Sequence, residues 1–400
     1  MLDTLRQIAR DRILGLVALS VFCYGAYAAS IAPHQSLVAI SVFGFTDGAY
    51  SAIMAFGSAL SVTASVWIGI LTDQKGDRRK ILIASAALGA AGAGLVFLVR
   101  SPTAYLVAHM LVLPFSATIF GQLFALARLA TAEQTAASRD GTMAALRALF
   151  ALPFVIVLPL WSLAFDRGAP LILIYGVLAL GFAVITALLA IRWPSARAAG
   201  LNDPKSGIRF YAALREMTAW PVTARILVIA SVQAGVTLYM VLLGLIMTTG
   251  GGRETSDVSL FAGLVAGLEV PFMLASPMLL SRLSKSALIA AAAFIHAGFL
   301  CAFPLAAPYP VVWFLAIPAA MGAAVTLSVP IAYMQDLMSA RPGAGGALIA
   351  VLHVTGQVIA AAVFGLGTAI SGYGLAAMLG AGLAAASGLT LLMMDRRRPA

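Results

Sequence analysis

Two charged side chains fall where a membrane helix would have to carry them through lipid. Glu269 interrupts the apolar run 258–281 and stands 13 residues before Arg282, which is about 20 Å along a helix. A carboxylate at that depth can take up and release a proton, or accept hydrogen bonds from the hydroxyls of a solute. Pro271 follows closely, so a backbone carbonyl is freed nearby and the helix can bend. The competing reading is a structural carboxylate bonded to a neighbouring helix. A charge at membrane depth costs about 2.5–3.5 kcal/mol, and such groups usually carry function. Arg147 is the second candidate. It can neutralise a carboxylate or fork onto substrate oxygens, or it can snorkel to the membrane surface.

A weaker set surrounds these two. Gln122, Gln233, His353 and Gln357 are polar groups inside apolar runs. His353 and Gln357 are four residues apart and share one helix face, which suits a polyol. Each can equally hold helices together by hydrogen bonding. Tyr24, Tyr27 and Tyr239, with Trp161, offer flat faces on which a sugar ring can stack, although aromatic residues in membrane helices more often pack or anchor. His109 and His296 show no partner in the sequence.

The elements that must position these groups follow from the charges. Of 400 residues, 62% are hydrophobic and 10% are charged, against about 25% charged in a soluble domain. That composition excludes soluble, disordered and fibrous classes. Runs without Asp, Glu, Lys or Arg cover 13–46, 48–72, 81–99, 101–127, 148–165, 168–191 and 226–252. Two longer ones, 286–335 and 342–394, exceed the roughly 20 residues of one crossing. Pro308-Tyr309-Pro310 and Ser371-Gly372-Tyr373-Gly374 break them into pairs. With 258–281 this gives twelve spans, read as helices because no strand-type alternation is present.

Lys and Arg concentrate on one side: Arg6, Arg10 and Arg12, Lys75 to Lys80, Arg128, Arg139, the 192–225 stretch, Arg282, Lys285, Arg341 and Arg396 to Arg398. This bias puts both termini in the cytoplasm and accounts for the net charge of +10. The cations are dispersed over hairpin loops, so nucleic acid is not an expected partner. The long polar connection divides the chain into an N-terminal six-helix bundle, 1–193, a cytoplasmic linker, 194–222, and a C-terminal six-helix bundle, 223–400. Two equal bundles can rock against each other around a central site.

The loop after the second span carries Gly69-x3-Asp73-x2-Gly76, followed by Asp77, Arg78, Arg79 and Lys80. Gly69 permits close helix approach, Gly76 suits a tight turn, and Asp73 can cap or pair with the cations. An ordinary positive-inside loop would explain the cations but not this spacing. Here the chain resembles the major facilitator superfamily, and the form of the motif resembles that of bacterial sugar efflux transporters. Leu146-Arg147-Ala148-Leu149, Ala266-Gly267-Leu268-Glu269-Val270-Pro271 and Tyr333-Met334-Gln335-Asp336-Leu337-Met338 extend the resemblance. Val157-Leu158-Pro159 departs from it, since such exporters often have Gly-Pro in the fifth span. The resemblance implies an all-α fold of twelve membrane helices. Gly69, Asp73, Gly76, Arg78, Arg79 and Asp336 would then act in gating, with Asp73 meeting a neighbouring helix end and Arg78 an inner carboxylate.

No phosphate-binding Gly-x4-Gly-Lys-Ser/Thr loop, no metal-ligand spacing and no paired cysteines occur, so neither an enzyme nor a cofactor is expected. The function implied by the resemblance is proton-coupled export of sugars or similar small polar solutes from a monomer in the bacterial inner membrane. Efflux of drug-like amphiphiles is the alternative, supported by the scarcity of polar groups, and a non-transporting membrane sensor is a third.

Overall fold

The computed structural model describes residues 2–75, 78–193, 220–337 and 342–396. Within these, the side chains of 69–75 and 342–350, with a few others, lie outside the described set. A short helix α1 (Leu2–Arg10) leads into α2 (Arg12–Ile31), α3 (Asp47–Lys75), α4 (Arg78–Val99), α5 (Pro102–Ala130), α6 (Ala136–Asp166) and α7 (Leu173–Ile191). After the linker come α8 (Trp220–Leu245), α9 (Thr255–Leu280), α10 (Lys285–Ala306), α11 (Ala316–Leu337), α12 (Pro342–Ile370) and α13 (Tyr373–Arg396). No strand occurs among the described residues. Eleven described stretches are long and apolar enough to cross a membrane. The twelfth expected span is α3, whose last side chains, 69–75, lie outside the described set.

Local chemistry sets the helix ends. Asp11 caps α2, its Oδ1 accepting from the backbone N–H groups of Ile13 at 2.8 Å and Leu14 at 3.1 Å. Ser101 caps α5 with Pro102 in its first turn, and Ser284 caps α10. Both long apolar runs divide at the expected turns. The chain leaves α12 through Gly372 at φ +88°, a conformation that favours glycine. It leaves α10 into the turn Pro310–Leu315, a 3₁₀ segment.

Helix packing forms two compact units. The first comprises Met1–Ala32, Ala59–Trp161 and Arg167–Gly207, and the second Pro33–Ser58, Ser162–Asp166 and Ile208–Ala400. Each has its own apolar core. Val17, Val21, Leu82, Ile119, Leu123 and Phe182 belong to the first, and Ile229, Ile289, Ala293, Val329, Met334 and Leu352 to the second. Large apolar side chains also point outward, among them Leu98, Leu274, Met278 and Phe314, as expected where lipid is the solvent.

The units do not divide at the linker alone, because 33–58 and 162–166 go with the second. Hydrogen bonds tie the first of these segments there. Ser36 Oγ donates to the carbonyl of Val241 at 2.6 Å, and Ser51 Oγ to that of Ala361 at 2.7 Å. His34 Nε2 and Ser259 Oγ are 2.8 Å apart, and the Tyr373 hydroxyl donates to Asp47 Oδ1 at 3.1 Å. The linker itself, 194–219, lies outside the described residues.

Candidate functional site

Glu269 lies midway along α9 and is half-buried. His353 on α12 is exposed, and Gln357, one turn on, is half-buried. Gln233 on α8 is buried; its Nε2 donates to the Thr326 carbonyl at 3.3 Å, and its Oε1 has no partner. Tyr239 is fully buried among Phe261, Phe299, Phe303 and His296. It therefore presents no accessible stacking face in this conformation.

In the first unit, Tyr24 and Tyr27 are half-buried on α2, their ring centroids 5.3 Å apart. Phe120, Phe150 and Phe182 back them, with Tyr27 and Phe182 only 4.7 Å apart. Gly25 makes this closeness possible, since a Cβ there would lie 2.3 Å from the Phe150 carbonyl oxygen. Arg147 on α6 is exposed. Gln122 is buried and accepts from Arg78 Nη1 at 3.1 Å. One residue expected in a substrate cavity and one expected in gating are thus joined inside a single bundle. Buried Trp161 donates its indole N–H to Ser30 Oγ at 2.8 Å, and His109 Nε2 lies 2.6 Å from the Tyr175 hydroxyl.

Ionic contacts gather at the end of the second unit that holds Arg225 and Asp395. Arg225, with 7% of its side chain exposed, donates to the Tyr333 hydroxyl at 3.0 Å and to Asp395 Oδ1 at 3.2 Å. Tyr333 donates in turn to the same carboxylate oxygen at 2.9 Å. Exposed Asp336 pairs with Lys285, which sits at the N-terminus of α10. A cavity of about 700 Å³ opens here, lined by Ser284, Lys285, Tyr333, Asp336 and Asp395 among others. Arg79 donates to the Ala190 carbonyl at 2.7 Å in the first unit. Gly76 lies outside the described residues, and Gly69 and Asp73 lie on the last turns of α3, where the side chains are outside the described set.

The Arg225–Tyr333–Asp395 cluster leaves no local signal in the sequence: Arg225 and Asp395 are 170 residues apart, and each stands at the end of an apolar run, where loop charges are expected. Among the described residues, no group of three or more His, Cys, Asp or Glu side chains converges to hold a metal.

Comparison with known proteins agrees with this architecture. No family model matches the sequence. A Deinococcus radiodurans protein named for sugar efflux is 26% identical over 399 residues, covering 96% of this chain and 98% of its own. Sugar efflux transporter A of Escherichia coli is 24% identical, with 87% of each chain covered, and that of Dickeya chrysanthemi is 25% identical, with 91% and 92% covered. Among solved structures, the nucleoside transporter NupG superposes with a TM-score of 0.78 at 14% identity, over 97% of this chain and all of its own. A peptide transporter POT gives a TM-score of 0.75 at 12% identity, over 96% and 94%. The chain is therefore a multi-pass membrane transporter of small molecules rather than an enzyme, with the major facilitator fold and full-length similarity to sugar efflux transporters.

Proposed function

We propose that the chain exports sugars or similar small polar solutes in exchange for protons, by alternating access in the bacterial inner membrane. The observation that carries this reading is Glu269: a half-buried carboxylate midway along a membrane helix. A proton-exchanging group needs both access and a low-dielectric setting that makes its charge costly. The names of the relatives supply the solute class. His353 and Gln357 offer hydrogen-bonding groups for hydroxyls, Tyr24 and Tyr27 offer aromatic faces, and exposed Arg147 offers a fork for solute oxygens.

Gating falls to the polar contacts at either end of the second unit. Lys285–Asp336 and Arg225–Tyr333–Asp395 brace the end placed in the cytoplasm by the positive-inside pattern. At the opposite end, His34–Ser259, Ser36–Val241, Ser51–Ala361 and Asp47–Tyr373 fasten segment 33–58. Alternating access requires such contacts to part when the solute site turns to that side. The chain works as a monomer, and neither nucleic acid nor a cofactor enters the cycle.

Counterflow in proteoliposomes, with labelled sugars and cationic amphiphiles and with or without a pH gradient, tests the reading. Sugar accumulation that responds to the gradient is expected. Glu269→Gln should abolish the response to the gradient while leaving exchange of solute for solute. Undiminished proton-driven transport by that variant would sink the carrier role. A second reading, efflux of drug-like amphiphiles, is favoured by one observation: the only asparagine of the chain is Asn202, in the linker. Accumulation of amphiphiles without sugar would select it.

A further inference from the structure

His296 on α10 is 2% exposed, and neither ring nitrogen has a hydrogen-bond partner. Its slot is built from glycines on the facing helices. A Cβ on Gly322 of α11 would lie 2.6 Å from His296 Cβ, and one on Gly235 of α8 would lie 3.5 Å from Cδ2. Gly235 and Ala319 bring their backbone beside the ring without completing a hydrogen bond.

Three more buried polar atoms on the same helices also lack partners: Gln233 Oε1, Tyr239 OH and Thr326 Oγ1. They form a column. The Gln233 amide reaches the Thr326 carbonyl, and Thr326 is one turn from Gly322, which touches His296. The ring centroids of His296 and Tyr239 are 6.2 Å apart. Gln233 and Tyr239 are separated by about 9 Å of helical rise. Isolated orphans are tolerated in native proteins, but five such atoms on three facing helices would together cost as much as a domain's whole net stability. Buried groups of this kind are ordinarily satisfied by ordered water, which makes about three hydrogen bonds at each site.

We propose that Gln233, Tyr239, His296 and Thr326 enclose a buried water site.

The test uses the full chain in proteoliposomes with ¹⁵N-labelled histidine. Histidines 34, 109, 296 and 353 give four ring signals, and H296Q identifies the one of interest. The His296 ring should receive magnetisation from water and exchange with deuterium far faster than the His109 ring, which is buried against Tyr175. Equal protection of the two rings would overturn the water site.

Discussion

The intramembrane polar groups of the two units are handled differently. In the first unit they are closed into pairs: Arg78 with Gln122, Ser85 with Thr118 at 3.0 Å, His109 with Tyr175, and Trp161 with Ser30. Among the described residues of that unit, the Ser20 hydroxyl and Arg139 Nε are buried atoms without a partner. The second unit also has closed pairs, such as His34 with Ser259, but in its interior Gln233, Tyr239, His296 and Thr326 each keep an open polar atom. His109 and His296 make the contrast sharpest. Both are buried in apolar surroundings and both lie against tyrosine rings, but only His109 is bonded. Closed pairs fix helix rotation and resist change. Open groups, once hydrated, can re-pair at low cost when a proton or a solute arrives. The comparison therefore assigns the first unit the stiffer scaffold and the second the responsive chemistry.

Breaking a closed pair should have the largest effect. An interhelical hydrogen bond in a membrane protein averages about 0.6 kcal/mol and reaches about 1.7. The Arg78–Gln122 bond has a charged, buried donor, so Gln122→Leu is expected near that upper limit. Its unfolding midpoint in detergent should fall clearly below that of the parent. A midpoint unchanged by Gln122→Leu would remove the claim that the first unit is held by its polar pairs.

Tyr175→Phe comes next. It removes the hydroxyl 2.6 Å from His109 Nε2 while leaving the ring that packs edge-on against Tyr105 and His109. A loss of about 1 kcal/mol is expected, with the His109 ring then exchanging with deuterium faster than in the parent. Retained protection would mean that Tyr175 contributes packing only.

How much of this was legible in the sequence differs between fold and site. The spans were legible because charge is excluded from lipid, so Arg100, Asp166 and Lys285 mark helix ends directly. Turns at Gly372 and Pro310 were legible from backbone chemistry. Partners were not. In a soluble helix the apolar stripe shows which face is buried, but a membrane helix is apolar all round and its rotation leaves no such trace. Gln122 and Gln233 therefore looked alike, although one is bonded to Arg78 and the other has an open oxygen. Tyr24 and Tyr239 looked alike too, yet one is accessible and the other sealed. The segment 33–58 joins the second unit through bonds spanning more than 200 residues, such as Ser36 to Val241, which no local pattern encodes.

The smallest effect is the most diagnostic. Thr326→Val keeps the shape of the side chain and the carbonyl that Gln233 uses, and removes only the orphan Oγ1. If that hydroxyl is dry, its removal eliminates an unsatisfied buried group and the protein is stabilised or unchanged. If it holds water, the variant loses about one hydrogen bond, roughly 0.6 kcal/mol, and the midpoint drops slightly. The expected outcome is the small drop, because the column of open groups on α8, α10 and α11 is too dense to be left unsolvated. A rise would instead mark the second unit as strained in this conformation, and the contrast between the units would then be one of stored energy rather than of hydration.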